Sequence, residues 1–234
     1  LGENSSIQLY IAMHRYRPLS FIGLSLLFFI ITSCSSTKVV SNWRKPDTEG
    51  LKLHKVLVLA MTPNTDFRKR VEDKLSETLE QNGISAQGSL AFFGEEMDTL
   101  PQTMEDWLPH IQHLEQENFD SVLITKIVGQ EGKDSKSAIV RYYNEFFGSF
   151  KEDIMKNKDL YSEEEGFKDY YIHRVASNLY CICEQNKEED LIWKLNVDIK
   201  QAFDSDYLVQ EGLRLFSKQF IEDLKEEDIF VTSK

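Results

Sequence analysis

The chain has 234 residues, of which 41% are apolar and 28% charged, with a net charge of −12. That is enough apolar material for a real core and about the length of one domain with an elaboration. The acidic balance excludes nucleic acid as a partner and excludes peripheral adhesion to anionic lipid, since both need basic patches.

The first informative stretch is Phe21 to Cys34, FIGLSLLFFIITSC. It is too short to cross a bilayer as a helix, which takes about 20 apolar residues. Its layout is that of a secretory signal. Met13 reads as the natural start, with residues 1–12 an upstream extension. Arg15 and Arg17 give a basic leader and Phe21 to Ile31 the apolar run. Ile31-Thr32-Ser33-Cys34 then resembles the bacterial lipobox, whose cysteine becomes the lipidated first residue of the mature protein. Two other readings stand beside it: a core helix ending in a free cysteine, and an uncleaved signal anchor. The lipobox reading makes 13–33 a signal peptide and gives the mature chain a membrane anchor at Cys34, with each buried CH₂ contributing about 0.8 kcal/mol. Ser35 and Ser36 are not the acidic residues associated with inner-membrane retention, so the expected location is the outer membrane, facing the periplasm.

Residues 34–53 read as a polar tether with an edge strand at Lys38 to Trp43. A single α/β domain is expected over 54–230, with an insertion at 131–170. Lys55 to Met61, KVLVLAM, is a continuous apolar run of the kind found in parallel strands buried on both faces. A helix is expected from the Thr62-Pro63-Asn64-Thr65 turn to about Asn82. Its stripe is Phe67, Val71, Leu75 and Leu79, and Gly83 sits where a terminating glycine belongs. Ile84 to Gln87 is a short strand, and Leu90 to Pro101 a loop carrying Phe92-Phe93. A second helix spans Met104 to Glu117, with its regular part beginning near Asp106 because Pro109 is tolerated only in a first turn. Asp120 to Gly129 is a strand. Gln130 to Tyr170 is long for a connection and rich in aromatics among charges. It reads as a hairpin arm covering the sheet, as a partner-contacting surface made of Tyr142, Tyr143, Phe146, Phe147 and Phe150, or as disorder. Phe146 to Phe150 reads as a loop tip. Tyr171 to Glu184 and Leu191 to Ile199 form an antiparallel hairpin. In its second strand Leu191, Trp193, Leu195, Val197 and Ile199 face one way, and Lys194, Asn196 and Asp198 face solvent. A last helix runs from Asp206 to Leu224 on Val209, Leu213, Phe216, Phe220 and Leu224, interrupted by Gly212. The fold class is therefore α/β, a two-layer sandwich with a mixed sheet of about five strands in the order βαβαβ, then the hairpin and the C-terminal helix.

Chemistry is sparse. No nucleophile elbow, P-loop, dinucleotide fingerprint or zinc motif occurs. His110 and His113 are three apart on one helix and read as a solvated or half-buried pair. The acidic runs 163–165, 188–190 and 226–228 lack calcium-loop spacing. Cys181 and Cys183 share a strand face with Val175 and Leu179. They read as small buried hydrophobes, with a disulfide the awkward alternative. His173 is about 26 Å further along that strand at ~3.3 Å per residue, too far to join them at a metal. No catalytic residue, metal or cofactor is expected, and the chain reads as a non-enzyme.

The order of lipobox, KVLVLAMTPNTDFRKRVEDKL, FDSVLITKIV, an aromatic-rich insertion and NLYCICEQNKEEDLIWKLNVDI resembles a group of uncharacterised bacterial lipoproteins. Their α/β domain is similar to that of the curli-secretion lipoprotein and to the amino-terminal domain of the Tol–Pal translocation protein. The resemblance implies fold and compartment and supplies no catalytic residue. It leads to a lipid-anchored periplasmic domain that binds or scaffolds an envelope protein. The alternative is an oligomeric outer-membrane assembly or secretion component, although 137–150 is too charged for a membrane-entering hairpin.

Overall fold

The computed structural model describes residues 37–46, 48, 52–94, 103–132, 148–158, 170–182, 191–200 and 205–226. All of them belong to one compact unit, Ser36–Lys234. The elements are β1 (Lys38–Arg44), β2 (Lys55–Met61), α1 (Thr65–Gln81), β3 (Ser85–Gly88), α2 (Ser89–Phe93), α3 (Met104–Gln116), β4 (Ser121–Gly132), α4 (Phe150–Asn157), β5 (Tyr170–Cys181), β6 (Leu191–Lys200), α5 (Ser205–Phe216) and α6 (Glu222–Glu226). A π-helical turn, Ser217–Ile221, links the last two. No helix among the described residues is long and apolar enough to cross a membrane.

One six-stranded sheet has the order β1-β6-β5-β4-β2-β3. β2 lies parallel to both β3 and β4, whereas β4, β5, β6 and β1 are antiparallel neighbours. The α/β class and mixed sheet are as the sequence implies. The sixth strand is β1, and helices cover both faces rather than one. One layer packs Phe67, Leu75 and Leu79 of α1 with Leu208, Phe216 and Phe220 of the C-terminal helix onto Val56, Leu123, Leu179 and Trp193. The other packs Trp107 and Ile111 of α3 with Phe150 and Ile154 of α4 onto Leu57, Ile124 and Tyr180. Burial on both faces explains why β2 reads as an unbroken apolar run.

Local signals set the helix ends. Asn64 caps α1 by accepting from the Phe67 amide at 2.8 Å, and Gly83 follows it at φ 78°. Thr103 and Asp106 form a reciprocal capping box at the start of α3. That helix begins at Met104 despite Pro109 in its interior. The amide that Pro109 lacks would serve Glu105, which is exposed, so water meets the unpaired carbonyl.

Four expectations need correction. Phe92-Phe93 belongs to the short helix α2, where Phe93 enters the core. Phe150 is no loop tip: it opens α4 behind a Ser149–Glu152 capping box and is 2% exposed. In β6, Leu179 opposes Trp193 while Tyr180 opposes Leu191, leaving Ile192 as an extra residue. This bulge turns Leu191 into the α3/α4 layer and puts Ile192 beside Trp193 in the other. Lys194, Asn196 and Asp198 are buried, not solvated. β1 adds outside β6 and makes it an interior strand. Ser41 receives the Asn196 amide at 2.8 Å, and Arg174 lies 3.6 Å from Asp198.

Candidate functional site

β2, β3 and β4 place the chain's topological switch. From β2 the chain crosses to β3 on one side, and from β3 it returns to β4 on the other. In open α/β sheets the crevice outside the carboxyl ends of the strands at such a point is where ligands bind. Here β2 ends at Met61-Thr62, beside Lys126 and Ile127 in the middle of β4. A cavity of ≈ 60 Å³, open on one side, lies there between α1 and α5, lined by Thr62, Phe67, Thr125, Ser177, Leu208 and Gly212 among others. Its walls are apolar except for hydroxyls and Lys126. Thr125 and Ser177 face each other across β4 and β5, with their oxygens 3.0 Å apart.

Two buried polar clusters brace this site. Behind the sheet, Asp153 of α4 is fully buried and accepts from four side chains. Its Oδ1 takes the Lys126 ammonium and, at 2.9 Å, the Asn157 amide. Its Oδ2 takes the Tyr180 hydroxyl at 2.7 Å and the Asn178 amide at 2.9 Å. Burial pushes the Lys126 ammonium below its usual range, and the Asp153 charge works against that shift. Both charges therefore serve to pin a short helix to the sheet.

The second cluster lies under α1. β3 stops opposite Val58, so the Ala60 amide has no strand partner on that side. Glu72 supplies one, accepting it at 3.1 Å. Glu72 also accepts from Arg68 Nε at 2.8 Å, Ser89 Oγ at 2.7 Å and the Leu90 amide at 2.8 Å. The Arg68–Glu72 pair is 2% and 1% exposed. Gly88 permits the approach, because a Cβ there would stand 2.9 Å from Glu72 Cβ.

The residues singled out from the sequence fall as follows. Cys34, Tyr142, Tyr143, Phe146 and Phe147 lie outside the described residues, as do the acidic runs apart from Glu226. Phe150 belongs to the core and offers no partner surface, because its ring packs 6.2 Å from Trp107 and 6.4 Å from Tyr180. His110 and His113 pack on Phe93 and Phe92 at 5.1 and 4.8 Å. No group of three or more metal-ligating side chains occurs among the described residues. Cys181 is buried as expected but disulfide-bonded, so it is not a free small hydrophobe. His173 is fully buried opposite Ile199, and burial pushes its imidazole down to about 4. Sequence reasoning missed both clusters. For Glu72 a signal existed: Arg68, Glu72 and Ser76 repeat every four residues beside the apolar stripe. For Asp153 no local pattern points to Lys126, 27 residues away.

The edge strand expected at Lys38 to Trp43 is present as β1. β1 pairs with β6 from Lys38 to Arg44. Thr37 is already docked, bonding Glu211 at 2.9 Å and Arg214 at 3.0 Å.

No family model matches the chain, and no curated protein does. Among solved structures it is similar to PelC, as a dodecamer from Paraburkholderia phytofirmans, at TM-score 0.41 and 11% identity over 77% of this chain and 95% of that one. It is also similar to lipoprotein GNA1162 from Neisseria meningitidis, at TM-score 0.34 and 10% identity over 72% of this chain and 99% of that one. Likeness at this level decides nothing about activity.

Proposed function

We propose that the chain is a lipid-anchored lipoprotein of the bacterial cell envelope. Its globular domain binds or scaffolds an envelope protein on the periplasmic side of the outer membrane and does no chemistry of its own. The observation that carries this reading is the Phe21–Cys34 leader with its lipobox-like end. The disulfide at Cys181 supports it, since such bonds persist in oxidising compartments.

The anchor would be short. Thr37 is held by Glu211 and Arg214, so only Ser35 and Ser36 separate Cys34 from the folded domain. Three residues reach at most about 11 Å. An acylated Cys34 therefore sets the β1 and α5 edge of the domain against the bilayer surface, not at the end of a long leash. The aromatics at 142–147 remain candidates for the partner surface, and Phe150 does not.

The test is metabolic labelling in a bacterial host with a clickable palmitate analogue. The full-length chain should take the label and fractionate with outer membranes, and Cys34→Ala should take none. Equal labelling of Cys34→Ala, or an intact leader by mass spectrometry, would overturn the anchor. Crosslinking in native envelopes with and without residues 138–147 then tests the partner surface, and an unchanged set of neighbours removes it.

A further inference from the structure

We propose that the crevice between α1 and α5 is a binding site for a small, neutral aliphatic molecule with one hydrogen-bonding head, such as a short alkanol. It is a separate claim from the lipid anchor and stands or falls without it.

The shape argument comes first. The cavity of ≈ 60 Å³ is several times what one water needs, about 10–15 Å³. Its walls are Phe67, Leu75, Val175, Leu208 and Leu213, and water gains little from such a lining. Gly212 keeps one wall low. A Cβ there would find only Ile199 Cδ1 within 4 Å, at 3.5 Å, so the place of its side chain stays open.

The chemistry of the lining selects the head group. Thr125 and Ser177 stand on adjacent strands among the apolar residues of the crevice lining. Their mutual bond uses one of their two hydroxyl protons. Among the described residues the other proton has no acceptor, and both oxygens keep accepting capacity. One incoming hydroxyl can therefore both donate and accept at this pair. A charged head would fare badly. Lys126 is the one cationic residue of the lining, and its ammonium is directed to Asp153 on the opposite face of the sheet. A carboxylate would enter a largely apolar space with no counter-charge, which disfavours it against a neutral head.

The experiment is a methyl-NMR titration of the chain with 1-propanol and, separately, with propionate at pH 7. With 1-propanol, the methyl signals of Leu75, Val175, Ile199 and Leu208 should shift and saturate. Propionate should bind at least tenfold more weakly. Thr125→Val with Ser177→Ala should weaken 1-propanol about fivefold, the worth of one ordinary hydrogen bond. Gly212→Leu should abolish the shifts while leaving the α3/α4 methyls in place; if it fails to fold, Val209→Phe on the same wall replaces it. Shifts that never saturate, survive the filled wall, or follow propionate equally would overturn the proposal.

Discussion

Removing the Asp153 carboxylate should loosen the molecule at a single joint, and the structure fixes roughly how much. Asp153→Ala deprives four buried donors of their acceptor: Lys126, Asn157, Tyr180 and Asn178. Breaking a buried pair from one side typically costs 3–5 kcal/mol, and each orphaned neutral donor about 1–3 kcal/mol. These terms overlap, because Lys126 can shed its proton more easily than an exposed lysine and so relieve part of the loss. About 3–5 kcal/mol in all is the expectation. Lys126→Met should cost less, since Asp153 keeps three of its four donors. The double variant should cost less than the sum, with a coupling of at least about 2 kcal/mol. Urea unfolding of the chain, followed by tryptophan fluorescence and circular dichroism, measures all four corners of the cycle. Hydrogen exchange adds a local readout: amides of α4 should lose protection before those of β4 and β5. A cost for Asp153→Ala under about 1 kcal/mol, or a coupling near zero, would refute the idea that this pair pins α4.

Four further outcomes follow from other residues. His173 is neutral in the native state down to about pH 4, against 6.5 when unfolded. Stability should therefore be unaffected above pH 6.5 and fall as acid is added, by about 2 kcal/mol between pH 6.5 and 5; urea midpoints of His173→Leu should lack this part of the slope. Gly88→Ala should destabilise by about 1–3 kcal/mol, because its methyl meets Glu72 Cβ at 2.9 Å; a thermal midpoint equal to that of the parent would contradict it. Gly212→Ala should stabilise by up to about 1 kcal/mol, since helix propensity improves and the nearest atom is at an ordinary 3.5 Å; a lowered midpoint would show that Gly212 is needed for its backbone. The disulfide partner of Cys181 is the fourth, taken up at the end.

Sequence and structure agree where a local pattern is tied to burial. The apolar run of β2, the four-residue stripe of α1, its start at the Thr62–Thr65 turn and the terminating Gly83 all survive. They survive because burial on two faces, burial on one stripe and a positive φ each demand a residue type at a fixed spacing. Long-range pairing leaves weaker marks. α4 hides in a charged segment, FKEDIMKN, because its apolar contacts come from Phe150, Ile154 and a half-buried Met155 while Asp153 seeks Lys126. The Arg68–Glu72 pair looks like a surface i,i+4 bridge and is buried because β3 stops short beneath it. The shift of Leu191 to the other layer depends on a single extra residue in the pairing of β5 with β6. The crevice itself has no linear signature, since its lining comes from several separate strands and helices.

The disulfide at Cys181 and the proposed anchor at Cys34 constrain one another. The chain has three cysteines: Cys34, Cys181 and Cys183. Cys181 is bonded, so its partner is one of the other two. A cysteine carrying acyl chains through its sulfur has no thiol left for a disulfide. If Cys34 is lipidated, the bond must join Cys181 to Cys183, two residues apart near the end of β5. Peptide mapping of the non-reduced protein decides this directly. The anchor reading predicts that Cys181 and Cys183 appear as one peptide two hydrogens lighter than its reduced form, with Cys34 on a separate acylated peptide. A crosslinked pair of peptides carrying Cys34 and Cys181 would end the lipoprotein reading while leaving the fold, the Asp153 clamp and the crevice unaffected. Those rest on residues from Thr37 onward, and their stability follows from the packing of α1, α4 and α5 on the sheet.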